Sequence, residues 1–233
     1  MFHPADHPLK RGWVGRIDGE HVIQLAAQTL PAFFTGGASA REHAVYPLAG
    51  VRLLAPVLHP PAVRVFDDQG TFGFANPAAI HGPGFEVGSA RRVPIDTVSQ
   101  GRLALLPRLA AVAGADGALG GFTVAADWRR PELPPPKDRD FALGLGPVVV
   151  TQDALDPEGL EAIVRVDESE RHRNSFTGFD WEAARAHAAE GTTLRPGDLL
   201  VGPALDTIDF LLPGSLVEIE IDRIGVLRQT VAR

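Results

Sequence analysis

The sequence predicts a β-rich α+β fold in which strands dominate and helices are few and short. Three observations carry this. Runs of helical period are scarce, short alternating apolar runs are common, and Gly (25) and Pro (20) punctuate the 233 residues. Hydrophobic residues make up 45% of the chain, enough for a sizeable core. The net charge of −7 argues against a phosphate-binding surface for nucleic acid, and the basic pairs Arg91–Arg92 and Arg129–Arg130 are too short to make one. There is no cysteine, hence no disulfide, thiolate metal site or thiol nucleophile. The N-terminal stretch lacks a basic-then-apolar leader pattern, and no apolar run reaches the roughly 18 residues that span a bilayer. A cytoplasmic protein with no membrane or nucleic-acid partner is the expectation.

Taken in order, residues 9–27 read as a hairpin, with Trp13–Ile17 and His21–Leu25 alternating on either side of an Asp18–Gly19 turn. Residues 28–46 read as helix and loop. Pro47–Pro56 reads as a short strand entering a larger body. That places a boundary between a small N-terminal module, 1–46, and a core domain, 47–233. Val63–Phe66 is a strand, Asp68–Gly70 a turn, and 75–88 a turn segment holding His81. Val98–Pro107 reads as a strand and 108–119 as an Ala/Gly-rich connector.

Phe122, Val124 and Ala126 then alternate with Thr123, Ala125 and Asp127, the pattern of a half-buried strand with an acid at its end. A Pro-rich loop leads to Lys137, and a Gly146–Pro147 turn leads to a short strand, Val148–Val150. An acid at a strand end and a lysine on a loop, between rigid strands, is a common way to mount a site. Leu160–Val166 is a strand followed by a hairpin turn at Asp167–Glu168. Phe179–Ala189 is the clearest helix, with Asp180 as N-cap, a stripe of Trp181, Ala184 and Ala188, and Gly191 as its stop. Leu199–Val201 is a buried strand. Two paired strands around a turn at 222–225 close the chain, and Glu218 and Glu220 on one of them read as solvent-facing.

Gly121-Phe-Thr-Val-Ala-Ala-Asp127, Lys137-x-x-Asp140 and Leu145-Gly-Pro147 resemble the phrases G-Y-T-V-A-N-D, K-x-x-D and L-G-P of the fumarylacetoacetate hydrolase family, with Ala126 in place of the Asn. G-P-G at Gly82–Gly84, T-L-x-P-G-D at Thr193–Asp198 and P-G-x-x-V-E-I at Pro213–Ile219 are similar to further family phrases, so the resemblance covers roughly 47–233. It implies a rolled sheet of mixed strands and a homodimer. It also implies work on small anionic oxo acids through an enolate on Mg²⁺ or Mn²⁺, as hydrolase, lyase (decarboxylase) or isomerase.

In the family the metal is held by the strand-end aspartate and by two glutamates of Y-E-x-E-L-A-V-V, which share a strand face because side chains alternate. Matching that phrase to Val98–Pro107 puts Gln100 and Arg102 at the glutamate positions and leaves Asp127 alone. Gln100 still offers a carbonyl oxygen, but an arginine has only donors and stays charged. The expectation is therefore no metal, the alternative being Mg²⁺ at Asp127. The Arg102 guanidinium would stand beside Asp127 where the metal would be, able to hold a substrate anion in bidentate fashion. The plainer reading is an Arg102–Asp127 structural pair in a dead site. The family's proton-transfer histidine is missing, with Asp67, Asp68 and Gln69 in roughly its place, and so is its substrate threonine near Gly202–Pro203.

By this resemblance the catalytic set is Lys137 to polarise a carbonyl, Asp127 to steer a proton and Arg102 to hold the anion, with Gln100, Asp140 and Asn174 against substrate. Two functions remain: a metal-independent oxo-acid enzyme, or an inactive member that binds a small anion or serves as a structural subunit. An open pocket shared by the arginine, Asp127 and Lys137 would favour the first. A buried arginine–aspartate pair without a cavity would favour the structural role.

Overall fold

The computed structural model describes residues 1–9, 11–36, 41–87 and 103–232. Gln100 and Arg102 lie outside them. The chain opens with β1 (Phe2–Pro4), then β2 (Gly15–Asp18) and β3 (His21–Leu25) in the expected hairpin. Its two-residue loop is Gly19–Glu20, one residue beyond the expected turn, because the left-handed φ of +55° falls on Gly19. Helix α1 (Leu30–Thr35) is capped by Thr29. β4 (Glu42–Pro47) is a strand where loop was expected; it adds to β3, and β5 (Val51–Leu53) pairs back to β1.

Next come β6 (Val63–Phe66), β7 (Phe72–Phe74), β8 (Ile80–His81) and β9 (Glu86–Val87). The long strands β10 (Leu103–Ala113), β11 (Leu119–Arg129) and β12 (Leu143–Thr151) follow. β13 (Glu161–Val166) and β14 (Ser169–Ser175) turn at Asp167–Glu168, both left-handed, as a tight hairpin requires. Helix α2 (Trp181–Ala189) has Asp180 as its N-cap and buries Trp181, Ala184 and Ala188, the stripe read from the sequence. β15 (Leu199–Ala204), β16 (Ile208–Leu211), β17 (Leu216–Ile221) and β18 (Gly225–Val231) complete the chain.

Two mixed sheets make the body. One runs β7-β6-β15-β10-β11-β12-β8, with β16 also on β10; the other runs β14-β13-β17-β18-β9. Most pairs are antiparallel, but β12–β8, β15–β6 and β18–β9 are parallel. The main core lies between the sheets, where Leu105, Leu109, Val124 and Trp128 meet Ala162, Val164, Ile219 and Leu227. A second core covers the other face of the larger sheet, with Ala110, Val112, Ala125 and Leu145 against Val63, Val65 and Val201.

This double coverage corrects three readings. Residues 108–113 are strand rather than connector: a strand buried on both faces needs no polar alternation, and its alanines are packing residues. β11 is likewise buried rather than half-buried, and it runs two residues past Asp127. Gly146–Pro147 is no turn; it sits inside β12, at the irregularity where pairing shifts from Phe122↔Val150 to Val124↔Gly146. Among the described residues, no helix is long and apolar enough to cross a membrane.

Candidate active site

The register of β10 on β11 sets Leu106 opposite Asp127 and Arg108 opposite Ala125. Opposed residues share a face, so Leu106, Arg108, Ala125 and Asp127 all point away from the inter-sheet core. Arg108 is 1% exposed. Its Nη1 donates to the carbonyl oxygens of Phe66 and Gly202, each at 2.9 Å. Its Nη2 donates to Asp67 Oδ1 at 3.3 Å. Its Nε stands 3.0 Å from Asp127 Oδ2 without the alignment of a hydrogen bond, so that contact is one of charge.

Arg129 closes the other side. Its Nε donates to Asp127 Oδ1 at 3.0 Å, its Nη2 to Oδ2 at 2.9 Å, and its Nη1 to Asp138 Oδ2 at 2.5 Å. The result is an alternating row, Asp67–Arg108–Asp127–Arg129–Asp138, whose three carboxylates and two guanidiniums sum to one negative charge. Burial pushes the pKa of Arg108 down while Asp127 and Asp67 oppose it; an arginine keeps its proton at neutral pH all the same. For Arg129 burial also acts downward, but the bonds to Asp127 and Asp138 outweigh it and the pKa rises.

These residues do not fit a divalent cation. Both oxygens of Asp127 face guanidiniums, Leu106 has no ligand atom, and Arg108 carries donors only. Among the described residues, no three His, Asp or Glu side chains converge as ligands.

The other sequence-predicted residues sit apart. Lys137 lies in a single 3₁₀ turn, Lys137–Arg139, with its side chain 70% exposed and paired to Asp140. It connects to Asp127 only by way of its neighbour Asp138 and Arg129. Asp140 also lends its carbonyl to Asn76 Nδ2. Asn174 is the last residue but one of β14, where its Oδ1 accepts from the Ser175 amide, and it lines a cavity of about 240 Å³ with Leu109, Trp181 and Pro203. Leu109 follows Arg108 on the strand, so that cavity opens on the opposite face of β10. His81 lies flat on Phe85, ring centres 3.5 Å apart. Glu218 and Glu220 are paired, to Arg228 and Arg165, and Glu218 is largely covered rather than solvent-facing.

Arg108 is the residue the sequence reading missed. The triplet Arg-Leu-Ala occurs twice, at 102–104 and at 108–110. The second continues Ala111-Val112, closer to the phrase E-L-A-V-V than the Leu105-Leu106 of the first. It also places Leu106 and Arg108, rather than Gln100 and Arg102, at the two glutamate positions. The sequence model described as fumarylacetoacetate (FAA) hydrolase C-terminal matches residues 107–232, which takes in the second triplet and leaves out the first. The chain belongs to the fumarylacetoacetate hydrolase family.

Solved structures agree with the family fold. Maleylpyruvate hydrolase from Sphingobium sp. SYK-6 superposes with a TM-score of 0.77 at 21% identity, over 96% of this chain and 97% of that one. The same hydrolase is known in complex with manganese(II) and pyruvate. A 2-hydroxyhepta-2,4-diene-1,7-dioate isomerase from Mycobacterium marinum gives 0.75 at 21% identity, over 95% and 93% of the two chains. An uncharacterised protein from Mycobacterium abscessus ATCC 19977 gives 0.76 at 23% identity, over 94% of each. No match is found among curated proteins. At these identities the likeness shows the fold alone, and the chemistry has to be argued from the site.

Proposed function

We propose that this chain is a member of the fumarylacetoacetate hydrolase family that works without a divalent metal and has given up metal–enolate chemistry, serving as a structural or small-anion-binding subunit. One observation carries the reading. Asp127, 3% exposed, has both oxygens held by Arg108 and Arg129, so it is a charge-balancing group rather than a free base. A general base must be within hydrogen-bond reach of the proton it takes, and neither Asp127 nor Arg108 presents an open edge. A homodimer and a cytoplasmic setting belong to the same proposal.

A second reading is favoured by Lys137, which keeps the K-x-x-D spacing and an exposed ammonium beside this row of charges. In it the chain is a metal-independent hydrolase, lyase or isomerase of a small oxo acid, with Lys137 polarising the carbonyl. The test is a turnover screen on acylpyruvates and other small oxo acids, in EDTA and with added Mn²⁺ or Mg²⁺, together with calorimetric titration of the metals. The expected result is no turnover and no metal binding. Turnover that survives EDTA and is lost in Lys137→Ala would establish the second reading. Turnover that depends on Mn²⁺ would overturn both.

A further inference from the structure

The cavity behind β10 is walled in part by three aromatic side chains, Phe176, Phe179 and Trp181, and Glu158 is the single charged residue that lines it. The rings of Phe179 and Trp181 meet edge to face, centres 4.9 Å apart. Both carboxylate oxygens of Glu158 accept from the Gly178 amide, each at 3.2 Å. One N–H shared between two oxygens leaves lone pairs on both for a further donor. Aromatic rings beside a carboxylate, around a space of about 240 Å³, are the surroundings that favour a small organic cation. We propose that this cavity binds a small organic ammonium ion with a compact apolar body, its charge set between Glu158 and the rings.

Hydrogen bonds hold this wall in place. The Phe176 amide donates to the Leu160 carbonyl at 3.0 Å, and its own carbonyl accepts from Gly159 at 2.7 Å. Gln69 grips Asp180, which stands between the other two rings in sequence, accepting from its amide at 2.8 Å and donating to its carbonyl at 2.9 Å. The Glu158 amide is fixed on Asp156 Oδ1 at 3.0 Å. A frame already ordered costs a ligand little further entropy. Asn174 lines the same space, and among the described residues its Nδ2 makes no hydrogen bond, so it can donate to a ligand oxygen. The sign of the site is negative. Arg108 reaches the wall only from behind, at the Gly202 carbonyl, and Asp67 and Asp127 balance it. Arg173 is next to Asn174 and so points to the other face of β14, where Glu161 and Glu170 hold it. The net charge of −7 also favours a cation over an anion. The inference does not depend on what the charged row on the far face of β10 does.

The experiment uses three probes that share one compact body and differ in charge: choline, its carbon isostere neohexyl alcohol, and the anion of tert-butylacetic acid. Each is titrated calorimetrically into wild type, Glu158→Gln and Phe179→Leu, and binding is located by nuclear Overhauser contacts from the probe's methyl protons. Glu158 is exposed, so its glutamine variant keeps the fold, and Phe179→Leu keeps an apolar side chain while losing the ring. Choline should bind wild type, place its methyl groups against the Phe176, Phe179 and Trp181 rings, and raise the melting temperature. Neohexyl alcohol should bind wild type about tenfold more weakly or worse, and Glu158→Gln should weaken choline by a similar factor. Phe179→Leu should weaken choline more than the alcohol, and the anion should not bind. The inference fails if wild type does not take up choline at tens of millimolar, or if the alcohol binds as tightly as choline, since the cavity is then merely apolar. It fails equally if Glu158→Gln binds choline as wild type does, or if the anion binds more tightly than choline.

Discussion

Asp127→Asn removes one charge from the buried middle of the row and leaves its shape intact. The asparagine oxygen can keep one of the two bonds from Arg129, but its amide sets donors against guanidiniums that also have only donors. Removing one partner of a buried ion pair costs about 3–5 kcal/mol, because the other charge is left without compensation. Here the loss is shared: Arg129 keeps Asp138, and Arg108 keeps Asp67 and two carbonyls. The lower end, about 3 kcal/mol, is therefore expected. For a chain of this size each kcal/mol moves the melting midpoint by about 2–4 °C, so the drop should be about 6–12 °C. Calorimetric melting and urea unfolding at neutral pH both measure it. Arg108→Met combined with Asp127→Leu should recover much of the loss, since buried pairs are often replaceable by apolar groups of similar volume. A fall of less than about 1 kcal/mol in Asp127→Asn would put these charges in water and refute the closed-centre argument.

Other perturbations separate buried from exposed groups. Gln229→Leu strands the buried Trp128 indole N–H, which now donates to Gln229 Oε1 at 2.7 Å; a loss of about 1–3 kcal/mol with a changed tryptophan emission is expected by denaturant titration. Lys137→Ala breaks only an exposed pair and should leave the urea midpoint within about 1 kcal/mol of wild type. Asp180→Ala removes the α2 cap, which accepts from the Ala183 amide, and should cost about 1 kcal/mol in the same assay. Burial pushes the His81 imidazole below its ordinary value despite an opposing backbone contact at Phe141. The unfolded chain then binds the proton more readily, so stability falls as pH drops through about 6.5 and levels off once the folded imidazole is also protonated. His81→Phe, which keeps the stack on Phe85, should flatten that limb of a stability–pH curve; an unchanged slope would assign it to other groups.

Local signals in the sequence located the elements with their own chemistry. The α2 cap and stripe, the left-handed Asp167–Glu168 turn and the β2–β3 hairpin needed nothing from elsewhere in the chain. Asp127 was legible too, through the phrase that carries it. The centre's arginine was not, because choosing between Arg102 and Arg108 depends on which of two similar triplets the strand register brings beside Asp127. That register is fixed by packing on both faces of the sheet, and alanines at 110, 111 and 113 hide it behind the composition of a connector. Arg129 was overlooked for a related reason: a basic pair looks like a solvated surface until Asp138, nine residues on, folds back onto it. Gly146–Pro147 reads as a turn from composition, and only its partners Phe122 and Val124 show an interrupted strand.

The cage around Arg108 also sets a schedule for making the protein. Its carbonyl partners lie 42 residues before it and 94 residues after it, and Trp128 finds its acceptor 101 residues later. While the chain is still being synthesised, β10 and β11 emerge with Arg108 lacking its Gly202 carbonyl on one side and an uncovered apolar face on the other. Neither side can be closed until β15 and β18 arrive. Such distant pairings are slow and leave sticky intermediates. Slow elongation or an early stop between Asp127 and Gly202 would therefore leave an aggregation-prone half-sheet, and yield in the cell should track chaperone supply more closely than the stability of the finished fold.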